Sequence, residues 1–486
     1  MAKSKWLWGG AILLLLFFTF CEKPEVFETT GNLAFSADTV KFDTLFTQVL
    51  SPTRRLTIYN RSSVGLEINS IFLARGNASV FDVIVNGQAG MVQNQVRINP
   101  RDSIFAFIKL KSQVEKNTDF WDALVFQFAD GKSQKVILYA HVLDAYFFRD
   151  TVLTEAITVF PNDKPIVVDG YIYVAPGTTL QIMPGTELYF SSRTDFDRWG
   201  NRYMRSMIII DGTLQAIGTF SKPVLFTNFR LGKGFRNKSY QDEPGQWQGL
   251  IFTKLSQGNR LSNAILQNGS IGVRCDSVSL TSEPKLVLEN TVIKNMANFC
   301  ILGLGFDSTR TMNAPPNIVA TNILAFNAGQ NVVGLFGGGK YYFSNCTFSS
   351  FSNFLSRSRS AVLGWTNYLK DNNNRILGRY PSEIVIQNCI LWGSKEEEFI
   401  TDLVKAPIQL TFTHNLVRSK RQDLPASNLI NLDPLFENFT VGNYRLKKES
   451  SAIDRGIQNE LTPLVDIEGK VRPRGNAPDI GAYEVQ

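Results

Sequence analysis

A six-residue string that recurs through the middle of the chain constrains the fold more than any other feature. Asn263-Ala264-Ile265-Leu266-Gln267-Asn268 matches Asn290-Thr291-Val292-Ile293-Lys294-Asn295, and Asn322-Ile323-Leu324-Ala325-Phe326-Asn327 continues the series. Asn345-Cys346-Thr347-Phe348 and Asn388-Cys389-Ile390-Leu391 keep its first half, and Asn415-Leu416-Val417 reads as a last, weak copy. The spacings are 27, 32, 23, 43 and 27 residues. A period of roughly 20–50 residues marks a solenoid in which each copy is one coil. Stacked coils bond strand to strand, in parallel, about 4.8 Å apart. Asn263, Asn290, Asn322, Asn345 and Asn388 are then expected above one another at one corner, each side-chain amide bonding to the next in a structural ladder. The Ile, Leu, Phe and Cys positions that follow fill the interior. Uneven spacing means loops inserted on coils, which a solenoid tolerates because each coil touches only its neighbours.

Upstream, from about Lys164, short apolar strands alternate with Pro-Gly corners. Pro165-Ile166-Val167-Val168-Asp169-Gly170-Tyr171-Ile172-Tyr173-Val174 leads to Pro176-Gly177 and Pro184-Gly185, and Ile208-Ile209-Ile210-Asp211-Gly212 repeats the texture. These segments extend the solenoid. Taken together, they resemble the right-handed parallel β-helix family, with about ten coils over some 250 residues.

Before that region the pattern has period two. Leu56/Ile58, Leu66/Ile68, Phe81/Val83/Val85, Val96/Ile98, Ala123/Val125 and Val136/Leu138 alternate, which places one side-chain set on one sheet face. Asn60-Arg61-Ser62, Asn86-Gly87, Asn99-Pro100-Arg101 and Asp130-Gly131 supply turns. About seven short strands over this stretch predict an immunoglobulin-like β-sandwich. The strings Leu56-Thr57-Ile58-Tyr59-Asn60 and Ile98-Asn99-Pro100 resemble bacterial immunoglobulin-like domains of the abnormal-spindle-related type, which implies a spacer or interaction module.

Both ends of the chain carry further resemblances. Lys3 and Lys5 precede an apolar run from Trp6 to Phe20, and Cys21 follows at once. The run is shorter than the roughly 20 apolar residues that span a bilayer. It resembles a bacterial lipoprotein signal peptide, with Cys21 as the lipidated residue; an uncleaved anchor is the alternative, since Phe20 stands where such signals carry a small residue. At the other end, Leu432-Asp433-Pro434, Ser451-Ala452-Ile453-Asp454-Arg455-Gly456, Arg472-Pro473-Arg474-Gly475 and Asp479-Ile480-Gly481-Ala482-Tyr483-Glu484 resemble the choice-of-anchor Q tail of bacterial surface β-helix proteins. A tail of this kind covers the open sheet edge at the end of a solenoid. Asp454, Asp466, Asp479 and Glu484 read as turn-forming and salt-bridging partners of Arg455, Arg472 and Arg474. The expected chain is all-β: a signal peptide (1–20), a tether (21–32), the sandwich (33–147), the β-helix (148–427) and a C-terminal cap (428–486).

Composition narrows the chemistry. His141 and His414 are the only histidines, which disfavours a His-rich metal site and a Ser/His/Asp array. The net charge of +7 is mild and scattered, so no nucleic-acid partner is expected. Cys275, Cys300, Cys346 and Cys389 form no CxxC pair and read first as buried small hydrophobes, with disulfides as the alternative in an exported chain. Paired catalytic carboxylates are not legible: no Asp-Asp pair occurs, and neither His precedes Gly.

Two basic insertions remain as ligand-binding candidates. Residues 229–242 carry Arg230, Lys233, Arg236 and Lys238; residues 353–383 carry Arg357, Arg359, Lys370, Arg375 and Arg379 with Trp365, Tyr368 and Tyr380. Aromatic faces stack on sugar rings, and guanidinium groups pair with carboxylates or sulfates. No cofactor is expected. Calcium at Asp195-Phe196-Asp197-Arg198-Trp199-Gly200-Asn201 is the alternative, for its alternating oxygen ligands, and Arg198 and Arg202 oppose it. Asp-Ser/Thr-apolar triplets such as Asp102-Ser103-Ile104 and Asp276-Ser277-Val278 resemble an O-glycosylation sequon, and strand starts give the same string. The expected protein is exported and held at the outer membrane by a lipid anchor. It binds acidic polysaccharide or another surface glycan without catalysis. The alternative is a polysaccharide lyase.

Overall fold

A computed structural model describes residues 26–47, 51–111, 118–196, 202–204, 206–232, 239–307, 314–351, 357, 360–371 and 373–485. Cys21 and the segment before it lie outside the described residues. The chain divides into two compact units, residues 1–144 and 145–486.

The first unit is built from two sheets around one apolar core. The larger places Thr118–Gln127 between Gly65–Leu73 and Ser133–Leu143, all antiparallel. The smaller is centred on Ser103–Leu110, flanked by Arg54–Tyr59 and Phe81–Val85. Leu56, Ile58, Leu66, Ile68, Phe81, Val83, Val85, Val96, Ile98, Val136 and Leu138 face inward as the period-two pattern predicts and are buried in one cluster. Ala123 and Val125 do not, because Leu124 and Phe126 take the inward face of their strand and leave the other parity to the outer side. Two short strands, Phe27–Glu28 and Thr39–Lys41, join the larger sheet in parallel.

The second unit is a parallel β-helix. Each coil crosses three files of strands. File one contains Val224–Asn228, Ala264–Gln267, Val292–Met296, Leu324–Ala328, Thr347–Ser350, Ile390–Gly393 and Leu416–Val417, each bonded in parallel to the next. File two contains Met207–Ile210, Gly249–Phe252, Ile271–Asp276, Phe299–Leu304, Val333–Phe336, Leu363–Thr366 and Phe399–Asp402. File three is a nine-stranded parallel sheet from Ile157–Phe160 to Ile408–Thr413. Alternate residues point inward and stack as like on like. Leu266, Ile293, Ala325, Phe348, Leu391 and Val417 from file one all lie in the central core, as do the four cysteines. Those cysteines are free and buried, and burial pushes the Cys275 thiol up to about 12.

The repeat asparagines sit where the chain turns from file three into file one. Their φ values are +48, +44, +52, +52 and +52° at Asn263, Asn290, Asn322, Asn345 and Asn388. An L-residue in this left-handed region costs roughly 1–2 kcal/mol, and Asn is among the few types that visit it routinely. Each corner N–H donates to the coil above: Asn263 to Glu289 O (3.1 Å), Asn290 to Thr321 O (3.1 Å), Asn322 to Ser344 O (3.2 Å), Asn345 to Gln387 O (3.1 Å) and Asn388 to Thr413 O (3.3 Å). The five stand in one row. A second left-handed row, Asn268, Asn295 and Asn327, marks the corner between files one and two.

The side-chain ladder is discontinuous. Asn322 Nδ2 donates to Asn290 Oδ1 (2.9 Å) and Asn388 Nδ2 to Asn345 Oδ1 (3.3 Å). Asn263 Nδ2 instead reaches Gly218 O at 3.4 Å. Between Asn322 and Asn345 the C-terminal segment intervenes: Asn322 Nδ2 donates to Val465 O (2.7 Å) and Asn345 Nδ2 to Asp479 O (3.3 Å). The requirement common to all five is therefore the backbone turn. The last copy is offset by one residue, since His414 occupies the corner at φ +53° and Asn415 is the buried residue after it.

The C-terminal segment flanks the coils, in contrast to the cap expected on the last rung. Leu429–Ile430 still belongs to the helix, pairing with Leu416–Val417. Beyond it, Phe436, Tyr444, Leu446, Ala452, Ile467, Ile480 and Ala482 pack on Leu324, Phe326, Ile390, Trp392 and Leu416, the outward residues of file one. Arg472 is fully buried, donating to Glu484 Oε2 (2.8 Å), Asn322 Oδ1 (2.7 Å) and Gly481 O (3.1 Å). The reason is in file one itself: its outward residues are apolar across several coils and need cover.

If the left-handed turn is what selects Asn, Asn263 isolates the effect, because its side chain makes no bond to the next asparagine. Asn263→Ala is expected to destabilise the protein by about 1–2 kcal/mol, and Asn263→Gly by less. Equilibrium denaturation of the two variants checks the order; Ala tolerated better than Gly would contradict it.

Candidate functional site

The two basic insertions leave the β-helix at different rungs. Residue 229 leaves the coil before the file-two strand Gly249–Phe252; residue 367 leaves after the file-two strand Leu363–Thr366. The register Phe252, Cys275, Gly303, Leu335, Trp365 separates them by four rungs, about 19 Å along the helix. Lys233, Arg236 and Lys238 lie outside the described residues, as does most of the calcium candidate, including Asp197 and Asn201. Arg230 is exposed, with its guanidinium 5.0 Å from the Tyr240 ring centroid.

The second insertion contains a coil strand, which the sequence reading overlooked. Trp365 is the correction: it points inward from Leu363–Thr366, is 1% exposed, and donates Nε1 to Ser382 Oγ at 3.0 Å. It cannot stack on a sugar. Arg357 is also internal, paired with Glu398. Arg359 lies outside the described residues. Tyr368, Lys370, Arg375 and Arg379 belong to a hairpin, Tyr368–Lys370 against Ile376–Arg379, with Arg379 opposite Tyr368. Tyr368 donates to Asp402, Lys370 Nζ lies 3.0 Å from Tyr368 Oη, and Arg375 pairs with Asp371 at 3.4 Å. Tyr380 is half-buried, edge-on to Phe306 at 5.7 Å.

An open groove of about 1020 Å³ lies elsewhere, where the C-terminal segment meets the last coils. Phe351, Trp392, Glu396, Arg418 and Lys420 come from the coils, and Asp433, Phe436, Phe439 and Lys447 from the flanking segment. Period two positions the floor. Leu391 turns into the core, so Ile390 and Trp392 turn outward. Arg418 follows on the next rung, its guanidinium 5.4 Å from the Trp392 ring and donating to Gly393 O at 2.8 Å. Phe351 and Phe439 stack across the groove at 4.1 Å.

A buried ion pair fixes the wall. Arg357 Nη1 and Nη2 lie 2.8 and 3.0 Å from the two carboxylate oxygens of Glu398, and Nη2 also donates to Ser350 O at 2.8 Å. Glu398 accepts the N–H groups of Val362 (2.8 Å) and Lys395 (2.9 Å). The strand end before Phe351 is thereby locked to the loop that carries Glu396. Glu396 pairs with Lys420 at 2.5 Å, and that hydrogen bond holds its carboxyl below the usual range. Asp433 accepts Leu435 N–H at 2.8 Å. Glu396 is thus paired with a cation, and Asp433 holds one oxygen in a turn.

Asp479 and Lys285, both shifted by burial, lie away from the groove. Burial raises Asp479 to about 6, but it is inside the flanking segment, accepting the N–H groups of Asp454 (2.8 Å) and Val485 (2.7 Å). Burial lowers Lys285, whose Nζ donates to the Lys254 and Asp276 carbonyls under the coil surface, out of reach of a polymer.

No family model and no curated protein matches this chain. Among solved structures, it is similar to a family 123 glycoside hydrolase from Clostridium perfringens, at 10% identity and a TM-score of 0.18, over 24% of this chain and 30% of that one. It is also similar to the ASH / PapD-like domain of human CEP192, at 9% identity and a TM-score of 0.17, over 25% of this chain and 92% of that one. The chain thus spans under a third of the hydrolase's length, and likenesses this slight carry no functional argument.

Sequence reasoning missed the groove because its lining residues are scattered along the chain from Phe351 to Lys447. The one available signal was Trp392, which directly follows the inward Leu391 of the repeat string Asn388-Cys389-Ile390-Leu391 and so falls on the outward face.

Removing one partner of a buried ion pair typically costs about 3–5 kcal/mol. Glu398→Ala is expected to show a loss of that order in thermal or chemical unfolding. A loss below about 1 kcal/mol would contradict the locking role.

Proposed function

We propose that this chain is an exported, lipid-anchored cell-surface protein whose β-helix binds acidic polysaccharide without catalysing its cleavage. The observation that carries this reading is the groove: aromatic faces at Phe351 and Phe439 stand beside Arg418 and Lys447, while Glu396 is already paired with a cation and Asp433 holds one oxygen in a turn. Aromatic and cationic groups together suit a sugar ring bearing carboxylate or sulfate. Hydrolysis by paired carboxyls needs one held protonated near neutrality; Glu396 is shifted the other way. The hairpin with Tyr368, Arg375, Arg379 and Tyr380 offers a second basic-aromatic strip.

In this proposal Cys21 carries the lipid and holds the protein at the outer membrane. The sandwich, read as immunoglobulin-like, is a spacer or interaction module, and the C-terminal segment is a choice-of-anchor Q-type tail. The basic n-region, the short apolar run and the residues quoted from the tail support these assignments.

Titration of the full chain with polygalacturonate, followed by calorimetry, is expected to show binding that weakens with added salt. Lys447→Glu, an exposed position, should weaken it at least fivefold. Unchanged affinity would remove the groove from the proposal, and sustained release of unsaturated product would overturn the non-catalytic reading. Cys21→Ser is expected to shift the protein from membrane to soluble fractions; retention at the membrane would contradict the lipid anchor.

A further inference from the structure

The outer face of the larger sheet in the first unit carries a second constellation. Thr118–Gln127 and Ser133–Leu143 are antiparallel, with Trp121 opposite Tyr139 and Asp119 opposite His141. Leu138, Ala140 and Val142 turn into the core, so Tyr139 and His141 turn out. Thr39–Lys41 lies on the far side, with Lys41 in register with Tyr139. Three neighbouring strands thus align Lys41, Tyr139 and Trp121 in one row, with His141 and Asp119 beside it.

The geometry is that of a platform with fixed polar edges. Trp121 is 52% exposed, and its ring centroid lies 4.3 Å from that of Tyr139. Lys41 Nζ is 5.3 Å from the Tyr139 ring centroid. Tyr139 Oη and His141 Nδ1 both sit 2.8 Å from the same carboxylate oxygen, Asp119 Oδ1. Among the described residues, Asp119 Oδ2 takes no hydrogen bond. One carboxylate oxygen is therefore held by two donors, which leaves the other as an oriented acceptor at the rim of an exposed indole. A purely structural cross-strand pair needs neither that exposure nor the spare oxygen.

The chemistry that completes such a site has an apolar face and hydroxyl donors around it. A pyranose ring has both: its axial C–H groups pack on the indole, and its hydroxyls donate to Asp119 Oδ2 and meet the free edge of His141. Charge selects among pyranoses. Asp119 at the rim repels a carboxylate-bearing sugar, and Lys41 balances Asp119, so the complementary occupant carries no net charge. We propose that Trp121, Asp119 and His141, with Tyr139 and Lys41 supporting, bind a neutral hexopyranose unit of a glycan. This site is independent of the groove in the β-helix and takes a different class of sugar.

The test is affinity electrophoresis of the full chain through gels containing a neutral glucan, mannan or galactan, with a polygalacturonate gel as the charged arm. Retardation by at least one neutral polymer is expected. It should fall at least tenfold in Trp121→Ala and severalfold in Asp119→Ala, while Trp121→Phe, which keeps a ring, retains most of it. Lys447→Glu should leave neutral-polymer retardation unchanged, which separates this site from the groove. Unchanged circular dichroism and melting temperature confirm that each variant is folded. Three outcomes would overturn the proposal: no retardation by any neutral polymer, wild-type retardation of Trp121→Ala, or retardation through Trp121 only in the polygalacturonate gel.

Discussion

The β-helix depends on one recurring backbone event. At each corner between file three and file one the chain must turn through the left-handed region and still present its N–H to the coil above. Asn meets both demands at Asn263, Asn290, Asn322, Asn345 and Asn388, at φ between +44 and +52°. A β-branched residue there would strain the turn. The corner also sets register. Because it places the third residue after the asparagine on a fixed face, Leu266, Ile293, Ala325, Phe348 and Leu391 all turn inward. A slip of one residue would turn these side chains outward.

The same alternation generates the candidate site. With Leu391 and Ala325 inward, Trp392, Ile390, Leu324 and Phe326 form an apolar stripe on the outside. The C-terminal segment covers that stripe and inserts Arg472 into the asparagine row at Asn322. Where its cover ends, over Trp392 and beside Arg418, the groove opens. Scaffold and site therefore share a cause: a file whose outward face is too apolar to face water along its whole length.

The repeat was legible because the left-handed corner demands a residue type and the interior demands apolar neighbours, so both appear as local strings. The alternation of Leu56/Ile58 and Val136/Leu138 was legible for a similar reason, since a sheet face imposes period two. Trp365 misled because aromatic and basic residues surround it in the chain, while its own strand, Leu363–Thr366, carries no asparagine at its start. The side-chain ladder was overread for a different reason: sequence spacing cannot reveal that Asp479 takes the amide of Asn345 and that Arg472 donates to the Asn322 side-chain oxygen. Nor could it reveal that the tail lies along the flank, because both placements bury the same apolar residues. Trp121, Tyr139 and His141 passed unnoticed since alternation marks the inward set and says nothing of what the outward set assembles.

Hydrogen exchange at the five corner amides tests the central claim most directly. Each donates to a carbonyl one coil away, so exchange at Asn263, Asn290, Asn322, Asn345 and Asn388 should require separation of coils. The account predicts protection at all five comparable to that of the buried strands that follow them, with the exposed residues 373–375 exchanging far faster. Corner amides that exchange at the rate of open loops would contradict it, because the coils would then not be joined through these turns.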